Sequence, residues 1–200
     1  MGIFLEAVVS EAKRFNPKKH AVLLEAAREA KWHPRALLRQ VGVQPGQVVV
    51  DLGCGPGFWT FPLADLVTST GVVWALDISR EMLDALMARH PPEQVHTMCI
   101  ELPRIPLPAA SADLIWAAFV VHEIEPLDYL MREIQRVLKV GGRVAVLDWR
   151  PDAVHEDGPP RAHRLDVGVI RNGLQTAGLT LLDSPWQHED AYLVMAQKGR

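Results

Sequence analysis

The sequence predicts a doubly wound α/β protein, in which helices cover both faces of a mostly parallel sheet. Short continuous runs of β-branched and aliphatic residues recur along the chain, beginning with Val48, Val49 and Val50. Such runs are typical of strands that are buried on both faces. Helical stretches separate most of the runs, and this alternation indicates βαβ units that share one sheet.

Length and composition favour a single domain. The chain has 200 residues, of which 48% are hydrophobic and 22% are charged, so we expect one domain over 1–200 with a core of its own. Within it we expect a helical cap over 1–42 and an α/β core over 43–200. The cap is predicted because 14–40 has the pattern of one or two amphipathic helices, broken near His33 and Pro34.

Charge, cysteine content and hydropathy exclude several classes of protein. The net charge is −3, so the chain as a whole has no electrostatic attraction to nucleic acid or anionic lipid. Apolar runs are too short for a membrane span, and charged residues interrupt the N-terminal segment, so we expect neither a membrane helix nor a secretory signal. Cys54 and Cys99 form no C-x-x-C pair, which predicts no thiolate metal site. We expect a cytoplasmic protein, and the oligomeric state is left open.

The predicted elements follow from apolar runs and their boundaries. Ser79 caps one helix at its start, and Lys139 with Gly141 and Gly142 should end another with a left-handed glycine cap. Two last runs flank a polar loop, which predicts an antiparallel hairpin that completes a seven-stranded sheet. The predicted strands cover 48–52, 72–76, 95–100, 114–119, 144–147, 179–182 and 192–196, and the helices between the parallel strands cover 58–66, 80–89 and 127–138.

A long irregular segment over 149–164 follows the fifth predicted strand and contains three prolines. Loops of this length inside a domain are often functional lids, and this one leaves the carboxyl edge of the sheet, where open α/β folds bind ligands. We therefore expect a lid loop, with an acceptor molecule entering between it and the N-terminal helices. Trp149 and His155 would shape that side of the pocket.

The strongest motif is the glycine-rich turn after the first strand, Val50-Asp51-Leu52-Gly53-Cys54-Gly55-Pro56-Gly57. It is no P-loop, because Phe58-Trp59-Thr60 offers no lysine for phosphates. It is no dinucleotide fingerprint either, because Phe58 stands where the sixth-position glycine belongs. An acid two residues ahead of the first glycine would repel a pyrophosphate but suits a cationic group such as an α-ammonium.

A second acid, Asp77, ends the next predicted strand. A carboxylate there can accept hydrogen bonds from both hydroxyls of a ribose and would repel a 2′-phosphate. A ligand with an ammonium, a ribose and no phosphate matches S-adenosylmethionine.

Over about residues 20–196, the sequence resembles a known family. It is similar to the class I S-adenosylmethionine-dependent methyltransferases, nearest to the small-molecule branch related to quinone-biosynthesis methyltransferases. The matching segments are VVVDLGCGPGFWTFPLA, VVWALDISREML, ELPRIPLPAASADLIWAAFVVHEI and REIQRVLKVGGRVAVLDW. The resemblance implies a Rossmann-like sheet, methyl transfer, and S-adenosylmethionine as the cofactor with S-adenosylhomocysteine as its product.

The resemblance also implies roles for particular residues. Asp51, Gly53 and Gly55, with Cys54 between the glycines, would hold the methionine moiety, and Asp77 the ribose. Ile78 and Met82 would pack near the adenine. Glu101 stands near the place of the aspartate that such families often set beside the adenine amine. The remaining expected cofactor contacts are Ile100 and Ala117.

Two motifs that the chain lacks narrow the range of possible methyl acceptors. The fourth predicted strand ends in Trp116-Ala117-Ala118-Phe119, unlike the Asn-Pro-Pro-Tyr type of motif that cradles the exocyclic amine of a nucleobase. Neither cysteine follows a proline as a cytosine-methylating nucleophile would. A small, partly apolar metabolite remains, methylated on oxygen, carbon or nitrogen, and we expect no nucleic-acid partner.

Two alternatives stay open at this stage. One is a non-catalytic S-adenosylmethionine-binding sensor or scaffold. The other is an RNA methyltransferase, for which the basic residues over 13–19 are the one candidate surface. As a general base for methyl transfer we expect His122, which with Glu123 follows the fourth strand, because a reference pKa of about 6.5 suits proton removal at neutral pH.

Overall fold

The computed structural model describes residues 14–184 and 186–199. The expected helical cap over 1–42 therefore lies partly outside the described residues. The described chain forms six α-helices, seven strands and three short 3-10 helices. The α-helices are α1 (Ala26–Trp32), α2 (Pro34–Val41), α3 (Thr60–Val67), α4 (Arg80–Met87), α5 (Leu127–Val137) and α6 (Val167–Thr176). The strands are β1 (Val48–Leu52), β2 (Val72–Asp77), β3 (Val95–Cys99), β4 (Ala112–Ala118), β5 (Leu138–Trp149), β6 (Leu179–Leu182) and β7 (Ala191–Lys198), and the 3-10 helices are Pro17–Leu24, Val121–Glu123 and Arg161–His163.

The seven strands form one sheet in the order β3-β2-β1-β4-β5-β7-β6. Strands β1 to β5 run parallel, while β7 is antiparallel to both β5 and β6. The prediction of a doubly wound, mostly parallel, Rossmann-like sheet with a C-terminal antiparallel hairpin is confirmed.

Side chains of each central strand pack into two separate core layers, because successive residues of a strand point to opposite faces. In β1, Val49 packs in one layer and Val50 in the other, and neither is exposed. Helices α2 and α3 cover the layer of Val49, and α5 and α6 cover the layer of Val50. Burial on both faces explains why β1 is a continuous run of apolar residues.

The N-terminal helices break where the sequence predicts. His33 adopts a left-handed conformation (φ 44°) between α1 and α2, and Pro34 begins α2. Proline is well tolerated at the first position of a helix. This break returns the chain toward the sheet, so that α1 lies near the glycine-rich turn and α2 packs on α3.

Two local predictions are wrong. Helix α5 ends at Val137, and Leu138 has an extended conformation instead of leading into a left-handed glycine cap. Leu138 is fully buried and pairs with Ala112, so strand pairing prevails and β5 begins at Leu138 rather than near residue 144. Helix α6 was not among the predicted helices; Asp166 caps it by accepting a hydrogen bond from the Gly168 N–H. Across the described ranges, no helix is long and apolar enough to cross a membrane.

Candidate active site

A cavity of about 620 Å³ lies at the carboxyl ends of β1, β2 and β4, where the strand order reverses. Its walls are the glycine loop after β1 (residues 53–59), the end of β2 with the start of α4, the turn after β4, and parts of the N-terminal segment. Open α/β proteins bind ligands in the crevice at this position. The volume falls in the range of about 300–1,000 Å³ that small-molecule sites occupy.

The glycine loop is held against two neighbouring segments. The N–H groups of Gly53 and Cys54 donate to the carbonyl oxygen of Leu76 over 2.8 and 3.1 Å. Gly53 has a φ of +67°, and a Cβ built there would lie 2.4 Å from a methyl carbon of Val120. Residue 53 must therefore be glycine both for its left-handed conformation and for the close approach of the turn after β4.

Asp77 fixes the loop from the other side. Its carboxylate accepts 2.8 Å hydrogen bonds from the N–H groups of Gly55 and Ser79. Burial raises the pKa of Asp77, although these hydrogen bonds oppose the rise. The carboxylate lines the cavity, and its two oxygens have lone pairs left for a ligand hydroxyl.

Asp51 lies under the loop rather than in the cavity wall. Its side chain is 1% exposed and accepts a 2.7 Å hydrogen bond from the Thr60 hydroxyl. Burial raises the pKa of Asp51 to about 7, against the effect of the Thr60 hydrogen bond. Ionising a buried carboxyl is costly when its partner is a neutral hydroxyl, so a cationic ligand group beside the loop would stabilise the carboxylate.

The turn after β4 carries His122 and Glu123, which form a chain of three acid and base groups with Asp148 of β5. The Nδ1 atom of His122 lies 2.7 Å from Asp148, and its Nε2 atom lies 3.8 Å from the carboxylate of Glu123. Although burial alone would lower the pKa of His122, the adjacent Asp148 raises it above its usual value. Glu123 lines the cavity, and its carboxylate accepts a 3.1 Å hydrogen bond from the Phe15 N–H. Burial raises the pKa of Glu123 to about 7, although the charge of His122 opposes the rise.

Arg28 of α1 adds a guanidinium to the cavity wall. Its Cζ atom lies 5.0 Å from the centre of the Phe58 ring and 5.3 Å from that of Phe119. Burial lowers the pKa of Arg28 to about 10. Its Nε atom is buried and has no hydrogen-bond partner among the residues that the structure describes. Leaving a buried charge unpaired is unfavourable, so the wall offers a place for an anionic group of a ligand.

The structure brings together about half of the residues that the sequence nominated. Gly53, Cys54, Gly55, Asp77, Ile78 and Met82 line the cavity. Asp51, Ala117 and His122 lie behind its wall. Ala117 packs in the layer under α5 while the next residue, Ala118, lines the cavity, because adjacent strand residues alternate between faces.

Glu101, which was expected near the adenine amine, and the expected cofactor contact Ile100 lie just outside the lining. The N–H of Ile100 donates to the Asp77 carbonyl oxygen over 2.9 Å. Glu101 is exposed and forms a 3.3 Å ion pair with Arg14. The following residue, Leu102, is the one that lines the cavity.

Trp149 and His155 also lie outside the cavity lining, in a loop that is fastened to its surroundings. Trp149 is 6% exposed, and its ring packs 4.7 Å from that of Phe119. His155 donates its backbone N–H to the buried carboxylate of Asp190 and pairs its Nδ1 with the same group over 2.9 Å. The guanidinium of Arg164 donates to three backbone carbonyls of the loop region, those of Arg150, Asp157 and Pro159.

The same region contains a group with metal-ligand chemistry. His155, Glu189 and Asp190 each place one ligand atom within 4.8 Å of the others. The ammonium of Lys31 lies 2.6 Å from the Asp190 carboxylate, so a cation already neutralises this acid.

Sequence reasoning did not assign three charged residues to the cavity wall, namely Arg14, Arg28 and Glu123. Arg28 is one of several charged residues in a short helix. The sequence pattern of such a helix does not show which charged side chain lines a cavity and which is exposed to solvent. Glu123 stood beside the nominated His122, and the signal that could have found it is alternation, because two adjacent residues after a strand seldom face the same cavity.

The fold and the cavity define a doubly wound α/β protein with a small-molecule site at the reversal of strand order. A family model described as a methyltransferase domain matches residues 50–146. The chain also resembles a solved S-adenosylmethionine-dependent methyltransferase from Aquifex aeolicus, with a TM-score of 0.85 and 27% identity over 92% of this chain and 98% of that one.

Two curated relatives extend the comparison. The malonyl-[acyl-carrier protein] O-methyltransferase of Methylovorus sp. is 35% identical over 55% of this chain and 39% of its own length. The ubiquinone/menaquinone biosynthesis C-methyltransferase of Cupriavidus necator is 34% identical over 57% of this chain and 49% of its own length. The matched part is thus less than half of either relative. These matches confirm the predicted resemblance to the class I S-adenosylmethionine-dependent methyltransferases, including those related to quinone biosynthesis.

The residues present fit the cofactor of this family, S-adenosylmethionine. Asp77 offers lone pairs at the end of β2, where a ribose is expected, and Ile78, Met82 and Leu102 give an apolar surface beside it. Around the glycine loop, Asp51 lacks a cation and Arg28 lacks an anion among the described residues. The ammonium and carboxylate of a methionine moiety would supply both charges.

Proposed function

We propose that this protein transfers a methyl group from S-adenosylmethionine to a small, partly apolar metabolite. The carboxylate of Asp77, held in the cavity wall by the N–H groups of Gly55 and Ser79, is the observation that carries the proposal. It anchors the ribose of the donor, while Asp51 and the loop over 53–55 hold the amino-acid end. S-adenosylmethionine brings a methyl group on a positively charged sulfur, which makes that carbon electrophilic.

Arg28 completes the donor site by pairing with the methionine carboxylate. The unmet Nε atom of Arg28 and the stacking of its guanidinium near Phe58 and Phe119 support this role. Hydrogen bonds that involve charged groups contribute about 1.5–3 kcal/mol, so the pair would account for a substantial part of donor affinity.

The acceptor side of the cavity supports a partly apolar substrate. Aromatic and aliphatic side chains dominate that part of the wall, namely Phe15, Leu23, Phe58, Phe119 and Ile124. Such a surface desolvates an acceptor and orients it for in-line attack, which is the contribution a protein makes to a methyl transfer. The two curated relatives are named as an O- and a C-methyltransferase, so oxygen, carbon and nitrogen all stay within the proposal.

Three residues support the cavity wall from behind rather than lining it, namely His122, Trp149 and His155. His122 supports the turn after β4 through its contacts with Asp148. Trp149 packs against the Phe119 ring. His155 helps to hold the loop over 149–164 in place through its hydrogen bonds with Asp190. We also propose a small-molecule rather than a nucleic-acid partner, and a cytoplasmic location, which the two free thiols of Cys54 and Cys99 support.

The test is a methyl-transfer assay with methyl-labelled S-adenosylmethionine, run against separate pools of small metabolites, quinone precursors and RNA. The proposal predicts label in the small-molecule fraction. Binding of S-adenosylhomocysteine without transfer to any pool would instead identify a sensor or scaffold, and label in RNA would identify an RNA methyltransferase. Absence of binding to either form of the cofactor would contradict the proposal altogether.

A further inference from the structure

Glu123 is a carboxyl group that the family resemblance does not explain. It lies at the end of the 3-10 helix Val121–Glu123, in the wall of the same cavity as Asp77 and the glycine loop. Among the described residues, the polar groups in contact with its carboxylate are the Phe15 N–H at 3.1 Å and the His122 Nε2 atom at 3.8 Å. No lysine or arginine of the described ranges pairs with this carboxyl, which lines the cavity and can therefore meet a ligand.

The position of the turn brings Glu123 toward the methyl end of the donor. Val120, three residues earlier, packs against Gly53 so closely that a Cβ at residue 53 would lie 2.7 Å from the Val120 Cβ. The glycine loop is the part of the site that holds the methionine moiety. The sulfur joins that moiety to the ribose at Asp77, so it must lie between the loop and Asp77, next to this turn.

Several charged and titratable groups face Glu123 from the elements packed around it. His122 belongs to the same turn, Asp77 ends β2 and Asp148 belongs to β5, and these three influence its charge directly. Arg14 and Arg28 lie in the wall of the same cavity, and Arg164 acts on His122. Burial and the two acids favour the neutral carboxyl, whereas His122 and any positive charge in the cavity favour the carboxylate.

We propose that Glu123, in the cavity wall beside the glycine loop, is partly protonated in the free protein at neutral pH and loses that proton when the positively charged sulfur of the methyl donor enters the cavity. The proposal rests on the proposed function, because it requires that donor. It follows that S-adenosylhomocysteine, which has the same ammonium and carboxylate but a neutral sulfur, does not release this proton.

The carboxylate formed in this way is the proton acceptor of the site. When an O–H, N–H or C–H acceptor bonds to the methyl carbon, the sulfur keeps the electron pair of the broken carbon–sulfur bond and one proton must leave the acceptor. Glu123 is placed to receive that proton. His122 touches the Glu123 side chain rather than the cavity, so it is a positioning residue whose charge tunes the carboxyl.

The test is calorimetric titration of the full chain near pH 7 in buffers of different ionisation enthalpy. The dependence of the measured heat on the buffer gives the number of protons released on binding. We expect S-adenosylmethionine to release up to about half a proton more than S-adenosylhomocysteine, since the pKa of Glu123 is raised to about 7. Glu123→Gln should abolish this difference while still binding both ligands.

The matched control is Glu93→Gln, an exposed glutamate that precedes β3 at the opposite edge of the sheet. It should keep the difference in full. Removal of the imidazole in His122→Gln should move the pH at which the difference is largest upward, because the charge of His122 lowers the pKa of Glu123. A merely structural role for His122 would leave that pH unchanged.

The outcomes separate this inference from the proposed function. Failure of the unmodified protein to bind either ligand would overturn the proposed function. Binding of both ligands with equal proton release, or a difference that survives in Glu123→Gln, would overturn the inference alone. If Glu123→Gln does not fold, infrared difference spectra of the unmodified protein decide: the band of a protonated carboxyl must disappear with S-adenosylmethionine and persist with S-adenosylhomocysteine.

Discussion

Val120 occupies the space that a side chain at residue 53 would need. A Cβ built on Gly53 would lie 2.4 Å from one Val120 methyl carbon and 2.7 Å from its Cβ. The glycine loop after β1 and the turn after β4 are therefore in direct contact at the point where the strand order reverses. This contact sets one wall of the cavity and carries Glu123 into it.

Gly53→Ala should destabilise the protein more than an alanine at another left-handed glycine. Both the positive φ and the collision with Val120 oppose it, and overpacking costs about 1–3 kcal/mol. Gly141→Ala is the matched control, because Gly141 has a φ of +79° but no atom within 4 Å of its added Cβ. Thermal unfolding should show a Tm several degrees lower for Gly53→Ala, and equal values would contradict the packing described above.

Asp51→Asn should stabilise the ligand-free protein at alkaline pH. The pKa of Asp51 is raised to about 7 in the folded state, so the native state holds a proton that the unfolded state loses at about pH 4. Stability is therefore lost as the pH rises from about 4 to 7, and asparagine removes that loss. We expect a gain on the order of 1–3 kcal/mol at pH 8, which shrinks toward pH 4.

Unfolding in urea at pH 4, 6 and 8 measures this gain. Asp84→Asn, on the exposed face of α4, is the control and should show no such pH dependence. The Asp51 variant should also bind S-adenosylhomocysteine more weakly, since it loses the partner of the ammonium. A variant that is less stable than the unmodified protein at pH 8 would contradict the conclusion that burial makes ionisation of Asp51 unfavourable.

Arg28→Met should weaken binding of S-adenosylhomocysteine but not that of 5′-methylthioadenosine. Only the first ligand carries the carboxylate that Arg28 is proposed to pair with, and such a bond contributes about 1.5–3 kcal/mol. Arg35→Met, at an arginine of α2 that pairs with Asp65 on the surface, serves as the control. Equal weakening of both ligands would show that Arg28 does not recognise the carboxylate.

Gly158→Ala should disturb the loop over 149–164 without changing donor affinity. The added Cβ would lie 2.6 Å from the Trp149 ring, at a φ of +88°, so the loop must shift. None of its residues lines the cavity described above, and calorimetry should give the same Kd for S-adenosylhomocysteine. A clear loss of affinity would show that the loop closes over the donor.

The sheet and the position of Asp77 in the cavity wall were predictable because their signals are local. Strand β1 is buried on both faces and therefore reads as a continuous apolar run. The acid at residue 77 stands at a strand end, which fixes its place at the carboxyl edge once the sheet is parallel. Spacing along the chain was enough for both conclusions.

The remaining parts depend on contacts between distant segments. The early start of β5 depends on the pairing of Leu138 with Ala112, which outweighs the local preference of Gly141 and Gly142 for a helix end. Arg28 lines the cavity because α1 packs beside Phe58 and Phe119, which lie far from it along the chain. The difference between Glu123, which lines the cavity, and His122, which bonds to Asp148, follows from the direction of one short 3-10 helix.

The most direct test of the central claim is the affinity of S-adenosylhomocysteine for the Asp77→Asn and Asp77→Ala variants, measured by calorimetry beside Asp84→Ala as an exposed control. Asparagine keeps an acceptor for one of the N–H groups that Asp77 binds, so at least that variant should remain folded. If Asp77 anchors the donor ribose, both variants lose about 1–3 kcal/mol of binding free energy, the scale of a charge-assisted hydrogen bond, while Asp84→Ala binds normally. An unchanged Kd in folded Asp77 variants would show that the cavity does not hold the donor in this way.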